Sequence, residues 1–372
     1  MAEKDLKAMY RTRTEGQFPE TVELLGRTYS KVDDLRYGTN PHQPAAFYKP
    51  ANGANLALGA YTMLKTGKNG LSQTNLEDMH HAIGILKYME RPCCAVMKHC
   101  NPSGAAIQQE GMTLVEVYQR ARDADAQAAF GSVVAFNVEV DADTAAEIMQ
   151  TIVEGVVAPA FSEEALAAFN DHARFKRNKA IRIVRTPPFN TLPKYTEDTP
   201  NAWEMKVFDD GSVILAQPYL SRMKSVDDFV PAYNDHSKKG RMDIARKPTA
   251  QELDDLLFAW RVNLHVRSNG VVIVRNGQTL AVGTGEQDRV GAVQQAITKA
   301  QSKYKGSESL EGAVMASDGF FPFRDAVDAA TDAGVTAVAQ PGGSMNDYDA
   351  IAACNEKNAT MVFTLERCFS HH

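Results

Sequence analysis

No uninterrupted apolar run in this 372-residue chain approaches the roughly 18 residues that a membrane-spanning helix needs, so no transmembrane segment is expected. The opening MAEKDLKAMYRTRTEGQF is charged throughout and has no apolar core of the secretory type, and the expected location is therefore cytoplasmic. Cysteine is scarce. The five residues Cys93, Cys94, Cys100, Cys354 and Cys368 are odd in number and lack framework spacing, which argues against a disulfide scaffold. Basic blocks are also missing and the formal net charge is −6, so nucleic-acid binding is not the expected business. Any anionic ligand must then be met by local positive groups. A zinc site built on His99 and Cys100, with Cys93 and Cys94 upstream, fails on spacing. No H-x-E occurs, and Pro92-Cys93-Cys94-Ala95 breaks the P-C-x-x-C element that zinc deaminases carry.

What is present is a globular composition, 44% hydrophobic and 23% charged. Segments of helical period alternate with short β-branched runs, the pattern of an α/β fold, and the length suits two domains. The expected organisation is an N-terminal arm and first unit over 1–185, a polar connecting region over 186–247 and a second unit over 248–372. CCAVMKH reads as a buried strand, and Asn101-Pro102 as a cap with proline at the first helical position. This places Lys98 and His99 at a strand end before a helix, where open α/β sheets bind ligands. In the second half, Thr249 to Glu252 forms a capping-box pattern, and Asn276-Gly277 inside GVVIVRNGQTLAVG suits a type I′ hairpin turn. KHCNPSG and VRSNG hint at a duplication, though no repeat is convincing by letters alone.

The pair Lys98-His99 carries the sharpest chemical reading. A histidine can take a proton from a weak nucleophile as it attacks, and a lysine ammonium can stabilise an oxyanion growing on a carbonyl, so together they suit acyl transfer. The plain alternative is a surface lysine beside a structural histidine. In ASDGFFPFRD, three phenylalanines around Pro322 suit either a wall for a flat heterocycle or ordinary packing, with Asp318 or Asp325 as hydrogen-bond acceptors. GTGEQDRV and QPGGSMND each precede a helix and read either as anion-holding amides or as plain turns. The ending RCFSHH offers Arg367 and His371 to an anion, with a frayed tail as the default.

LRYGTNPHQ, VMKHCNPSGAA, AAFGSVVAFN, EGVVAPAF, RSNGVVIVRNGQTLAVGTGEQDRV, ASDGFFPFRDAVDAA, QPGGSMND and RCFSH occur in the order seen in the AICAR transformylase family. The chain resembles the C-terminal portion of the bifunctional purine-biosynthesis protein from about residue 25 to its end. The resemblance implies two cytidine-deaminase-like α/β/α units without zinc, in a homodimer whose active sites draw residues from both subunits. It also implies formyl transfer from 10-formyltetrahydrofolate, a co-substrate, to the 5-amino group of AICAR ribonucleotide, giving FAICAR and tetrahydrofolate without a metal. By resemblance, His99 is the proton acceptor, Lys98 the transition-state stabiliser and Asn269 an orienting residue. Arg36, Tyr37, Gly131, Glu154, Arg289, Phe320, Arg367 and His371 match nucleotide-binding positions, and Val290, Asp325 and Ser344 match positions near the folate.

Some letters depart from the family's pattern. Asp288 stands where serine usually precedes the arginine, and a pairing of Asp288 with Arg289 is expected. Gln73 replaces the usual tyrosine, and Ala326 and Met345 flank folate positions without polar side chains. The first 25–30 residues are too short for a cyclohydrolase domain, so the expectation is a chain that forms FAICAR without closing it to IMP. Two rivals remain at this level: a catalytically silent purine-nucleotide-binding paralogue that partners a separate cyclohydrolase, and a nucleobase deaminase on the same fold.

Overall fold

The computed structural model describes residues 13–53, 56–200, 203–303 and 306–371; residues 1–12 of the expected N-terminal arm lie outside them. The chain divides into two compact units, the first ending at Asn190 and the second beginning at Thr191.

The first unit opens with a three-stranded antiparallel sheet of β1 (Thr21–Leu24), β2 (Arg27–Asp34) and β3 (Ala46–Pro50). Then follow β4 (Thr62–Lys65), α1 (Gln73–Leu86), β5 (Cys93–Lys98), β6 (Asn101–Ile107), α2 (Leu114–Asp123), β7 (Ser132–Phe136), α3 (Ala142–Ile148), β8 (Val153–Ala158), α4 (Glu163–Asn170) and β9 (Arg182–Arg185). The strands lie in the order β6-β5-β7-β8-β9-β4, with β7, β8 and β9 parallel and the other pairs antiparallel. SVVAF of β7 is buried at every residue, as a strand covered on both faces must be. Helices start where the local chemistry stops the orphan amides: Ser72 and Asn75 form a capping box on α1, Thr113 and Glu116 one on α2. The core gathers around Tyr118, Phe136, Ile148 and Phe169.

The second unit holds the hairpin of β10 (Glu204–Val207) and β11 (Val213–Ala216), then β12 (Val230–Pro231) and the hairpin of β13 (Tyr233–His236) and β14 (Gly240–Asp243). After these come α5 (Ala250–Asn263), β15 (Val271–Arg275), β16 (Gln278–Gly283), α6 (Arg289–Gln301), β17 (Ala313–Ser317), α7 (Asp325–Asp332), β18 (Val335–Gln340), α8 (Asp347–Glu356) and β19 (Thr360–Phe363). Their order is β12-β19-β18-β17-β15-β16, with β17, β18 and β19 parallel. The Thr249/Glu252 capping box is present on α5, and Asn276 and Gly277 take positive φ in the turn between β15 and β16.

Each unit thus runs helix, antiparallel hairpin, helix, strand, helix, strand, helix, strand. In this shared plan the counterpart of KHCNPSG is the Asn276-Gly277 turn, not VRSNG. The expected helix at Asn101-Pro102 is absent. His99 and Cys100 both take left-handed backbone, with φ of 54° and 62°, so the chain reverses into β6. Pro102, which has no N–H, fits because the β5/β6 register shifts between Val96 and Met97. Since β5 runs antiparallel to β7, Lys98 lies where the parallel strands of its unit begin rather than where they end.

Candidate functional site

In the first unit the tip of the β5/β6 hairpin sets the site. Its strands are buried, which fixes Lys98 at the rim: the lysine Nζ donates to the Gly131 carbonyl at 2.7 Å. Gly131 suits this position because its φ is +71°, a backbone conformation that side chains rarely adopt. His99 is exposed on the next residue, and its carbonyl accepts from the Asn101 side chain at 3.1 Å.

Helix α1 supplies the floor. Asp78 accepts from the Cys100 backbone N–H at 2.7 Å, and Asn75 donates to Glu154 at 2.9 Å. Burial pushes the Asp78 carboxyl up to about 6, against the lowering effects of the Cys100 N–H and the Lys98 charge. Burial likewise raises the Cys100 thiol to about 12 and holds the Cys93 and Cys94 thiols well above their ordinary value, so none of these sulfurs is a thiolate at neutral pH.

Two guanidinium groups complete this cluster. Arg182 is buried and donates to the carbonyls of Gly70, Lys68 and Glu154; desolvation and then the Arg36 charge lower it to about 10. Arg36 is buried as well, bonds the Tyr37 hydroxyl at 2.8 Å with its cation over that ring, and leaves its Nε without a partner. Arg182 also pairs with the Glu154 carboxylate at 3.9 Å, whereas Arg36, desolvated and with its Nε unpartnered, offers a donor to an anion.

The Asp78 shift gives a stability prediction. The folded-state value lies above the ordinary 3.8, so the proton bound on folding stabilises below that value and its contribution is lost as pH rises through about 6. Two units correspond to about 3 kcal/mol at neutral pH. Asp78→Asn is expected to be more stable than wild type by about 1–3 kcal/mol at pH 7.5 and by little at pH 4, measured by denaturant unfolding. An Asn advantage that does not grow with pH would contradict this.

In the second unit the candidates gather where β17 ends and β15 begins. Asp318, fully buried, forms an ion pair with Arg289 at the start of α6 and accepts from the Gly270 N–H at 3.0 Å. Asn269 is fixed to the Glu286 carbonyl through its backbone N–H at 3.1 Å and its side chain at 2.9 Å. Asp318 is therefore committed to the protein, not open to a heterocycle. The expected pairing of Asp288 with Arg289 is also corrected: Asp288 is the N-cap of α6 and accepts from Gly291 N–H at 2.6 Å, because the helix start offers it an orphan donor.

The tail is tied down rather than frayed through His371. Cys368 N–H bonds the Asp318 carbonyl, Ser268 N–H bonds the Ser370 carbonyl, and Phe369 lies under the Arg367 and Arg289 cations with His371 edge-on to it. Gly319 leaves the room this needs, since a Cβ there would run into the Arg289 guanidinium and lie 2.7 Å from the Phe369 ring. Phe320 and Phe323 are exposed while Phe321 is core, so the aromatic run is split between surface and packing.

The folate-side expectations fall elsewhere in this unit. Val290 packs against the core, Asp325 is exposed with its carboxylate on the Ala326 N–H, and Ser344 is buried on the loop after β18. Asn346 bonds the Pro322 carbonyl at 2.6 Å, which joins the Ser344 loop to the Phe320 loop. The anion-holding amides suggested for the two glycine-rich stretches are occupied: Asp288 takes one at α6, and Asp347 takes Gly343 and Ser344 N–H before α8.

The profile of the AICARFT/IMPCHase bienzyme matches residues 3–299. The chain belongs to this family. Among its relatives, the bifunctional purine biosynthesis protein PurH of Acetivibrio thermocellus is 40% identical over 360 residues, covering 96% of this chain and 62% of the relative. PurH of Oceanobacillus iheyensis is 38% identical over 360 residues (97% and 63%), and that of Anoxybacillus flavithermus 39% over 365 (98% and 64%). The chain spans less than two thirds of the length of these curated relatives. Within this AICARFT/IMPCHase member, the sequence reading overlooked Asp78, Asn75, Arg182 and Phe369. The available signal was polarity out of place: Asp78 sits on the apolar face of α1 and Arg182 opens the buried RIVR strand. Among the described residues no helix is long and apolar enough to cross a membrane, and no group of three or more His, Cys, Asp or Glu side chains is placed to hold a metal ion.

Proposed function

We propose that this chain transfers the formyl group of 10-formyltetrahydrofolate to the 5-amino group of AICAR ribonucleotide, giving FAICAR and tetrahydrofolate, without ring closure to IMP by the 372-residue chain itself. The observation that carries the reading is the presentation of exposed His99 beside Lys98 on the hairpin tip of an AICARFT/IMPCHase family member. The 5-amino nitrogen is conjugated with its ring and carboxamide and is a poor nucleophile. As it attacks the formyl carbon, His99 takes its proton. The formyl oxygen gains charge, which the Lys98 ammonium offsets. Collapse breaks the bond between the formyl carbon and the folate nitrogen, which takes the proton held by His99 as it leaves, and the new carbon–nitrogen bond to the nucleotide remains.

Arg36 and Arg182 are proposed to meet the nucleotide phosphate, with Arg289, Arg367 and Phe320 as further nucleotide contacts and Asn269 as the orienting residue. Val290, Asp325 and Ser344 are proposed to lie near the folate. The test is tetrahydrofolate formation by the purified protein, dependent on both substrates, with IMP assayed in parallel. No turnover with AICAR still bound would favour a silent paralogue, and IMP without an added cyclohydrolase would end the single-activity reading.

A homodimer with shared active sites belongs to the proposal. Its support in the chain is the β10/β11 hairpin, which exposes Trp203, Met205, Val207, Val213, Ile214 and Leu215. A lone two-stranded hairpin is marginal in water, and this one is apolar on its exposed surface. Replacing Val213 and Leu215 together by lysine is expected to give monomers by light scattering; an unchanged dimer would show that the hairpin is not the contact.

A further inference from the structure

We propose that Asp78 is a positioning residue for His99, its carboxylate holding the left-handed His99–Cys100 corner by taking the Cys100 backbone N–H. The inference rests on the reading of His99 as the proton acceptor, and it comes from comparing the two units.

Helices α1 and α5 have the same length, 14 residues, and each begins with a capping box. Six positions after the N-cap each carries a buried aspartate, Asp78 after Ser72 and Asp255 after Thr249. Both do the same thing. Asp255 accepts from the N–H groups of Asn276 and Gly277, at 2.8 and 2.7 Å, in the turn between β15 and β16. Asp78 accepts from Cys100 N–H, at 2.7 Å, in the turn between β5 and β6.

The two turns differ in what they need. Asn-Gly takes left-handed backbone readily, so the second unit's hairpin would close without help. His99 and Cys100 adopt the same region, at φ of 54° and 62°, without the asparagine or glycine that makes it cheap. A corner that local preference opposes must be held from outside. Among the described contacts, the Cys100 amide bond to α1 is the hold that reaches the corner from another element, while Asn101 bonds the His99 carbonyl from the adjoining strand. Releasing the corner moves His99 relative to Lys98, which has its own anchor on the Gly131 carbonyl. Proton transfer depends on placement within a fraction of an ångström, so the effect falls on turnover rather than on nucleotide binding.

The experiment compares kcat and KM for wild type, Asp78→Ala, Asp78→Leu, Asp78→Asn and the double variant Asp78→Ala/Cys100→Gly. Asp78→Leu fills the buried volume without an acceptor and stands in should the alanine variant fold poorly. The alanine and leucine variants are expected to lose about tenfold or more in kcat with KM for AICAR ribonucleotide within about threefold. Asp78→Asn keeps an acceptor oxygen and is expected to stay within about threefold of wild type in kcat. Glycine at 100 relieves the left-handed backbone, so the double variant is expected to regain most of the lost turnover. Hydrogen exchange of the peptide around residues 97–103 reads the clamp without reference to catalysis, and Asp78→Ala is expected to speed it. Unchanged kcat in the alanine and leucine variants, no recovery with Cys100→Gly, or unchanged exchange would each overturn the proposal. A wild-type protein without formyl transfer but with faster exchange in Asp78→Ala would instead overturn the reading of His99 alone.

Discussion

His99→Ala and Lys98→Ala are each expected to lower kcat by at least about 100-fold, which corresponds to about 2.7 kcal/mol of transition-state stabilisation. The two losses have different causes. In the proposed mechanism, loss of His99 leaves the attacking amine to shed its proton to water while the tetrahedral centre forms. In the same mechanism, loss of Lys98 leaves the oxyanion without the ammonium that the wild type anchors on the Gly131 carbonyl. Steady-state kinetics with saturating folate checks both. Either variant turning over at the wild-type rate would remove the corresponding role, and a rise confined to KM would make the residue a binding group.

Asp318→Ala is expected to destabilise the protein by about 3–5 kcal/mol, the usual cost of breaking a buried ion pair from one side. Asp318 is fully buried and Arg289 nearly so, and the arginine already has an unpartnered Nε. Removing the carboxylate strands that cation beside Phe369 and also leaves the Gly270 N–H without its acceptor. Denaturant unfolding of Asp318→Ala against wild type measures the effect. A loss below about 1 kcal/mol would show that water or a rearranged Arg289 replaces the pair.

Much of the fold can be read locally. β-Branched runs such as SVVAF and GVVIV became strands because continuous apolar character suits burial on both faces, and the Thr249/Glu252 box and the Asn276-Gly277 turn formed where their own chemistry dictates. The failure at Asn101-Pro102 has the same physical basis in reverse. Asparagine before proline imitates a helix start, and nothing in His99-Cys100 announces a left-handed reversal that a distant aspartate supports. Asp288 illustrates a second limit: adjacency to Arg289 suggested a pair, but the helix amide competed for its carboxylate and Asp318 reached the guanidinium from just beyond the end of β17. The candidate site was legible where side chains are chemically unusual in sequence, as at Lys98-His99, and hidden where single polar residues stand within apolar elements, as at Asp78 and Arg182.

The central claim is formyl transfer centred on His99. Incubating the protein with formyl-labelled 10-formyltetrahydrofolate and AICAR ribonucleotide, and following the label by mass spectrometry, tests it most directly. The account expects the label on the 5-amino nitrogen of the nucleotide, tetrahydrofolate in equal amount, and loss of both in His99→Ala. Label retained on the folate by the wild type, or moved at the same rate by His99→Ala, would contradict it.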